Sequence, residues 1–155
     1  MPSARLLIAG DGPIRDELKL LVSRLNLSSN VTFHGHLTHS ELEAALGRAW
    51  VQAVPSVWSE PFGITAVEAM MRGTAVVASA SGGLEEIVEN GKSGFLVPPG
   101  DVDALAEKLL LLLRDRNLSE AFGRAGRYCA ESRFSEELFL SKLLDIYKRL
   151  LPVSA

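Results

Sequence analysis

The sequence predicts an α/β fold: a parallel sheet of about five strands with helices on both faces. Three observations carry this. Short apolar runs, several of them β-branched, recur through the first two thirds of the chain. Each is followed by a loop of small or turn-forming residues and then by a stretch with helical periodicity. From Asp101 onward the pattern is helical throughout. Strands that alternate with helices are joined by crossovers, which make the strands parallel, and ligands of such Rossmann-like sheets bind beyond the carboxyl ends of the strands.

Taken in order, Arg5 to Ala9 reads as a buried strand running into Gly10-Asp11-Gly12-Pro13. A helix follows over Ile14 to Leu25, with Ile14, Leu18, Leu21, Val22 and Leu25 on one face. A dinucleotide fingerprint is excluded, because its third glycine would fall on Arg15. Gly10, Gly12 and Pro13 are explained by a tight turn at a helix start. Val31 to Phe33 is a second strand, followed by His34, His36 and His39. Their spacing does not match zinc patterns and no cysteine is near, so no metal is predicted; a surface loop with Thr38 or Ser40 capping a helix over Glu41 to Arg48 accounts for them. Ala49 to Val54 is the third strand, stopped by Pro55. Ala75 to Ala78 is the fourth, followed by the small-residue loop Ser79 to Gly83 and a short helix over Glu85 to Glu89, closed by Asn90-Gly91. Gly94 to Val97 is the fifth, stopped by Pro98-Pro99-Gly100. Asp101 caps a helix over Val102 to Arg114 whose inner side is Leu105, Leu109, Leu112 and Leu113. Helices over Leu118 to Ser132 and Glu136 to Leu151 complete the chain. The last one's apolar positions, Phe139, Leu143, Ile146, Tyr147 and Leu150, are expected to pack into the core, with part of the face available as an interface. The loops at Gly10 to Pro13, Gly35 to Leu37, Ser59 to Gly63 and Ser79 to Gly83 all follow strands, which predicts one shared rim.

Bulk properties narrow the function. At 155 residues, 47% hydrophobic and 23% charged, the chain has the make-up of one ordinary globular domain. A net charge of −3 with scattered Lys and Arg argues against a nucleic-acid surface. A single cysteine, Cys129, excludes an intrachain disulfide and fits a reducing compartment, hence a cytoplasmic location. The apolar run at Leu6 to Ala9 is too short for a signal peptide, and Leu109 to Leu113 is too short for a membrane span.

The segment Ser59 to Glu68, S-E-P-F-G-I-T-A-V-E, places Glu60 in a loop and Glu68 inside the following helix. Amides near Gly63, Ile64 and Thr65 open that helix without intrahelical acceptors, and a pyrophosphate suits them. Glu68 lies about 7 Å along the axis, one turn from Ile64 and on its side. One carboxylate to each side of a pyrophosphate suits the two sets of hydroxyls of a nucleotide sugar. Taken alone, the two acids are equally well read as a helix-entry residue and a solvated helix face.

The spacing resembles the E-x-x-x-x-x-x-x-E motif, extended here by E-P-F-G, of the group 1 retaining glycosyltransferases, which have the GT-B fold. Supporting stretches are L-L-I-A-G-D-G-P (Leu6 to Pro13), V-T-F-H-G (Val31 to Gly35), A-V-V-A-S-A-S-G-G (Ala75 to Gly83), E-I-V-E-N-G-K-S-G-F-L-V (Glu86 to Val97) and P-G-D (Pro99 to Asp101). The resemblance covers almost the whole chain and implies the C-terminal, donor-binding domain. It implies that Glu60 positions the donor hexose, that Phe62, Gly63 and Ile64 contact sugar and phosphate, that Thr65 contacts the phosphates and that Glu68 holds the ribose. It also places Gly10 and Gly12 near the donor, His36 and Leu37 beside the base, and Gly82 and Gly83 near the sugar.

The implied activity is retaining, metal-independent hexosyl transfer from a UDP-, GDP- or ADP-hexose, with no cofactor beyond that substrate. The resemblance further implies that residues 1–155 lack the first strand and helix of the donor domain, with the Arg and Lys that clamp the diphosphate, and the whole N-terminal acceptor domain. The expectation is an excised fragment, a truncated product or a subunit whose partner supplies that domain, and through it any peripheral membrane contact. Weak or undetectable turnover is expected of the chain alone. The rival readings are a non-catalytic nucleotide-binding or protein-interaction module and a sugar-nucleotide epimerase-like domain.

Overall fold

The computed structural model describes residues 4–47 and 49–151. It is the expected α/β fold, with five strands, all paired in parallel, in the order β1 (Leu6–Ala9), α1 (Arg15–Arg24), β2 (Val31–Gly35), α2 (His39–Leu46), β3 (Val51–Val54), α3 (Ile64–Met71), β4 (Ala75–Ser79), α4 (Gly83–Ile87), β5 (Gly94–Val97), α5 (Val102–Arg114), α6 (Arg116–Phe134) and α7 (Glu136–Leu150). The strands form two ladders, β1-β2 and β3-β4-β5. The chain forms two compact units that divide between Ala49 and Trp50. Arg48, the expected end of the second helix, lies outside the described residues.

In the first unit β1 and β2 pair from Leu6↔Val31 to Ile8↔Phe33, with a register shift before Ala9↔Gly35. Helix α1 ends in a left-handed Asn26 (φ 55°), whose N–H and that of Leu27 bond back to Ser23 and Val22 carbonyls; this double closure satisfies two terminal carbonyls. Helix α2 starts at His39, two residues earlier than expected. Thr38 is its cap: the Thr38 hydroxyl accepts from the Glu41 N–H while the Glu41 carboxylate accepts from the Thr38 N–H. The expectation of a buried first strand is not met, since Leu6 is 52% exposed and Ala9 is also exposed. Nor does α1 bury any residue. Both strands of a two-stranded ladder are edges, and a unit this small encloses little volume relative to its surface.

The second unit is built on β4, whose five residues are all buried. Its alternation assigns them to two cores. Val76 and Ala78 join Ala66, Met70, Leu84, Ile87 and Ala130 on one face. Ala75 and Val77 join Val97, Leu112 and Phe122 on the other. A strand covered on both faces reads as a continuous apolar run, as A-V-V-A does. Helix α3 closes at Gly73 (φ 75°), where the Gly73 and Thr74 amides return to the Met70 and Ala69 carbonyls. Helix α5 starts at its predicted cap, where the Asp101 carboxylate accepts from the Ala104 N–H at 2.9 Å.

Helix α7 departs from expectation. It meets α6 but buries no residue, and Phe139, Ile146, Tyr147 and Leu150 are all more than half exposed. Its apolar face is therefore not core packing among the described residues. The β3-β4-β5 sheet is already covered by α3, α4, α5 and α6, which leaves α7 no sheet face to occupy.

Candidate functional site

β3 stops at Val54 because Pro55 cannot continue the ladder. The loop that follows holds Glu60 in place. Ser56 Oγ donates to Glu60 Oε2 at 3.0 Å, and Trp58 Nε1 donates to the same oxygen at 2.9 Å. Glu60 is half-buried, and its Oε1 receives no hydrogen bond from the described residues. The carboxylate is thus oriented by two donors on one oxygen, with the other oxygen available.

The loop after β4 lies directly against this one. The Gly83 N–H donates to the Glu60 carbonyl at 2.8 Å, and Ser81 Oγ donates to the Trp58 carbonyl. A Cβ on Gly82 would sit 2.3 Å from the Glu60 carbonyl oxygen, and one on Gly83 2.5 Å from that of Phe62. The close approach that these glycines permit is thus to the protein's own backbone, which brings Gly82 and Gly83 beside Glu60 and Phe62.

Gly63, at φ 99°, caps α3 without a side-chain bond; it is buried, and its Cα faces Leu84. Ile64 and Thr65 are exposed, and among the described residues nothing accepts from their amides; the Ala66 and Val67 amides already bond to the Gly63 carbonyl. Those first amides therefore carry the unneutralised positive end of the helix. Glu68 is half-buried, on the same side as Ile64, whereas Ala66, Val67, Ala69 and Met70 face inward. The helix is braced to β3 through Gln52, which donates to the Thr65 carbonyl at 2.9 Å and accepts from the Arg72 guanidinium at 2.9 Å.

Beside Glu60 lies a cleft of about 300 Å³ lined by Glu60, Phe62, Gly82, Gly83, Glu86 and Arg133, among others. Its far wall is the end of α6. Arg133 donates to the Glu86 carbonyl at 2.8 Å and lies over the Phe134 ring, which meets Phe62 edge-on at 5.6 Å. Sequence reasoning did not single out Ser56, Trp58, Arg133 or Phe134. The one local signal was a hydroxyl four residues and an indole two residues before Glu60.

Two of the four loops expected at the rim belong to the first unit and two to the second. In the first unit the Gly10 N–H donates to the Gly35 carbonyl at 2.6 Å, which brings the Gly10 to Pro13 turn beside the loop carrying His36 and Leu37. The Asp11 carboxylate takes the Gly12 N–H at 2.8 Å and the Arg15 guanidinium at 2.6 Å. The residue that breaks the dinucleotide fingerprint thus pairs with this turn. His36 is exposed and Leu37 half-buried. Among the described residues no group of three or more His, Cys, Asp or Glu could hold a metal ion.

A family model described as "Glycosyl transferases group 1" matches residues 1–128. The chain belongs to the group 1 glycosyl transferases. The sulfoquinovosyl transferase SQD2 of Arabidopsis thaliana is 38% identical over 130 residues, which are 82% of this chain and 24% of that protein. The sucrose-phosphate synthase of Thermosynechococcus elongatus superposes with a TM-score of 0.85 at 37% identity, covering 97% of this chain and 39% of that one. Anabaena HepE, solved in complex with UDP, superposes with a TM-score of 0.89 at 28% identity, covering 96% of this chain and 42% of that one. The chain thus spans less than half the length of each of these three proteins, and its fold is that of a GT-B C-terminal domain. No helix among the described residues is long and apolar enough to cross a membrane.

Proposed function

We propose that this chain is the donor-binding portion of a retaining, metal-independent glycosyltransferase that moves a hexosyl group from a nucleotide sugar to an acceptor, as a cytoplasmic protein. One observation carries the reading. A single segment presents an oriented carboxylate oxygen at Glu60, two unsatisfied amides at the start of α3, and a second carboxylate one turn further on the same face. The Ile64 and Thr65 amides suit the diphosphate, whose charge grows as the sugar leaves. Glu60 Oε1 suits a hexose hydroxyl, and Glu68 the ribose hydroxyls. For the first unit by itself, Gly10, Gly12, His36 and Leu37 are proposed as nucleotide contacts. The HepE complex with UDP supports a nucleoside diphosphate as the common element.

The role of the chain in this reading is orientation of the sugar and stabilisation of charge on the leaving diphosphate. Turnover by the chain alone is expected to be weak or undetectable. Calorimetric titration with UDP, GDP and ADP and with their hexose conjugates tests the reading. Glu68→Gln should weaken the nucleoside diphosphate and its sugar alike, and Glu60→Gln should weaken only the sugar conjugate, each by about tenfold, the worth of one hydrogen bond to a charged acceptor. Failure of every nucleotide to bind would refute the donor assignment.

A further inference from the structure

We propose that Trp58 is a sugar-ring platform of this site: its indole face stacks on the apolar face of the hexose whose hydroxyl Glu60 holds. The inference rests on the donor reading above and adds a residue and a specificity to it. Trp58 is 67% exposed, yet it is fixed at both ends, by Nε1 on Glu60 Oε2 at 2.9 Å and by its carbonyl, which accepts from Ser81 Oγ. A large apolar ring held rigid in the open loses little conformational freedom when a ligand covers it, which is how aromatic side chains serve recognition.

The geometry sets what can cover it. The indole N–H occupies Oε2, and Oε1 is the oxygen left for a ligand. A hydroxyl bonded to Oε1 at about 2.7 Å lies within about 8 Å of the indole nitrogen, a span that a hexose with its hydroxyls can bridge. A pyranose turns hydroxyls outward and C–H bonds toward its ring face, and those C–H bonds suit the electron-rich face of an indole. Carboxylate and indole together thus match both surfaces of a hexose. The other tryptophan is differently placed: the Arg116 guanidinium lies 5.2 Å over the Trp50 ring.

The test uses the chain with Trp50→Phe, so that emission reports Trp58 alone, titrated with UDP and UDP-glucose and with GDP and GDP-mannose. For whichever pair binds, the Trp58 emission should change with the nucleotide sugar and not with the bare nucleoside diphosphate. Calorimetry should then show that the affinity gained from the sugar falls about tenfold in Trp58→Leu and stays within about twofold in Trp58→Phe. Neither variant carries an N–H, so equal losses in both would mean that Trp58 serves only to orient Glu60, and the platform would be disproved. An equal emission change with the bare nucleotide would move the stack to the base and also overturn it. Binding of no nucleotide would remove the donor reading and this proposal together, whereas binding with no sugar-dependent change would remove only this one.

Discussion

Gly82→Ala should be the most damaging single methyl in the second unit, and its cost can be worked from two separate terms. Gly82 has φ 55° and ψ −131°, a backbone region that L-residues avoid. Holding alanine there costs about 1–3 kcal/mol. The new Cβ would also stand 2.3 Å from the Glu60 carbonyl oxygen, 3.0 Å from its nitrogen and 3.1 Å from its carbonyl carbon. These are backbone atoms with no rotamer to yield, so overpacking adds about 1–3 kcal/mol. The sum centres on about 4 kcal/mol, a large part of a small domain's stability of about 5–15 kcal/mol. Two other alanines calibrate it. Gly91 has φ 78° and open space around its Cβ position, so Gly91→Ala meets only the backbone term, about 1 kcal/mol. Gly123 sits within α6, where alanine is favoured by about 1 kcal/mol, but its Cβ would lie 2.0 Å from the Gly73 carbonyl oxygen, so Gly123→Ala meets mainly the clash. Urea unfolding followed by tryptophan emission reads the right unit, because both tryptophans, Trp50 and Trp58, belong to it. With a slope of about 1.5 kcal/mol per molar urea, the midpoint should fall by about 2–3 M for Gly82→Ala and by under about 1 M for Gly91→Ala. Gly82→Ala should also loosen Glu60, whose carbonyl accepts the Gly83 N–H. If Gly82→Ala were no worse than Gly91→Ala, the two loops would not be packed backbone to backbone, and the orientation argued for Glu60 would lose its basis.

Further outcomes are expected at Thr38, Phe134 and Phe139. Thr38→Ala should weaken α2 by about 1 kcal/mol through loss of its hydroxyl cap. Hydrogen bonds from the Thr38 hydroxyl and amide hold the Glu41 carboxyl below its usual range. That contribution is complete above the ordinary carboxylate pKa and is lost as pH falls through Glu41's own lowered value, so the gap between Thr38→Ala and the parent should narrow in acid. Carbon-detected NMR titration of Glu41 checks the direction, and a Glu41 pKa unchanged by Thr38→Ala would contradict it. Phe134→Ala should lower stability by about 2–3 kcal/mol in thermal unfolding, because Phe134 packs on one core cluster and braces Phe62. Phe139→Ala, at a residue of α7 that is itself 64% exposed, should change it by less than about 0.5 kcal/mol.

These expectations divide along the same line as what could be read from the sequence. Boundaries set by neighbouring residues were legible. β5 begins and ends at Gly94 and Val97, and α5 at Val102 and Arg114, because Asn90-Gly91, Pro98-Pro99-Gly100 and Asp101 act within a few residues. The start of α2 slipped by two residues because Thr38 and Ser40 are both good caps, and only the reciprocal bond with Glu41 selects Thr38. Burial was less legible. An amphipathic pattern says which face is apolar but not whether anything lies on it, so the burial expected of β1 and of the apolar face of α7 is not found. The site shows both limits. Glu60, Ile64, Thr65 and Glu68 could be picked out because loop, helix start and helical turn are set by adjacent residues. The purpose of Gly82 and Gly83 could not, because the atoms that forbid a side chain there belong to Glu60 and Phe62, some twenty positions earlier. A glycine in a loop is equally compatible with a ligand, a turn or another strand of backbone, and the choice is made only when the chain returns to meet it. The two glycines and Glu60 therefore act as one unit: the loop that orients the carboxylate exists in this form only because positions 82 and 83 carry nothing beyond their backbone.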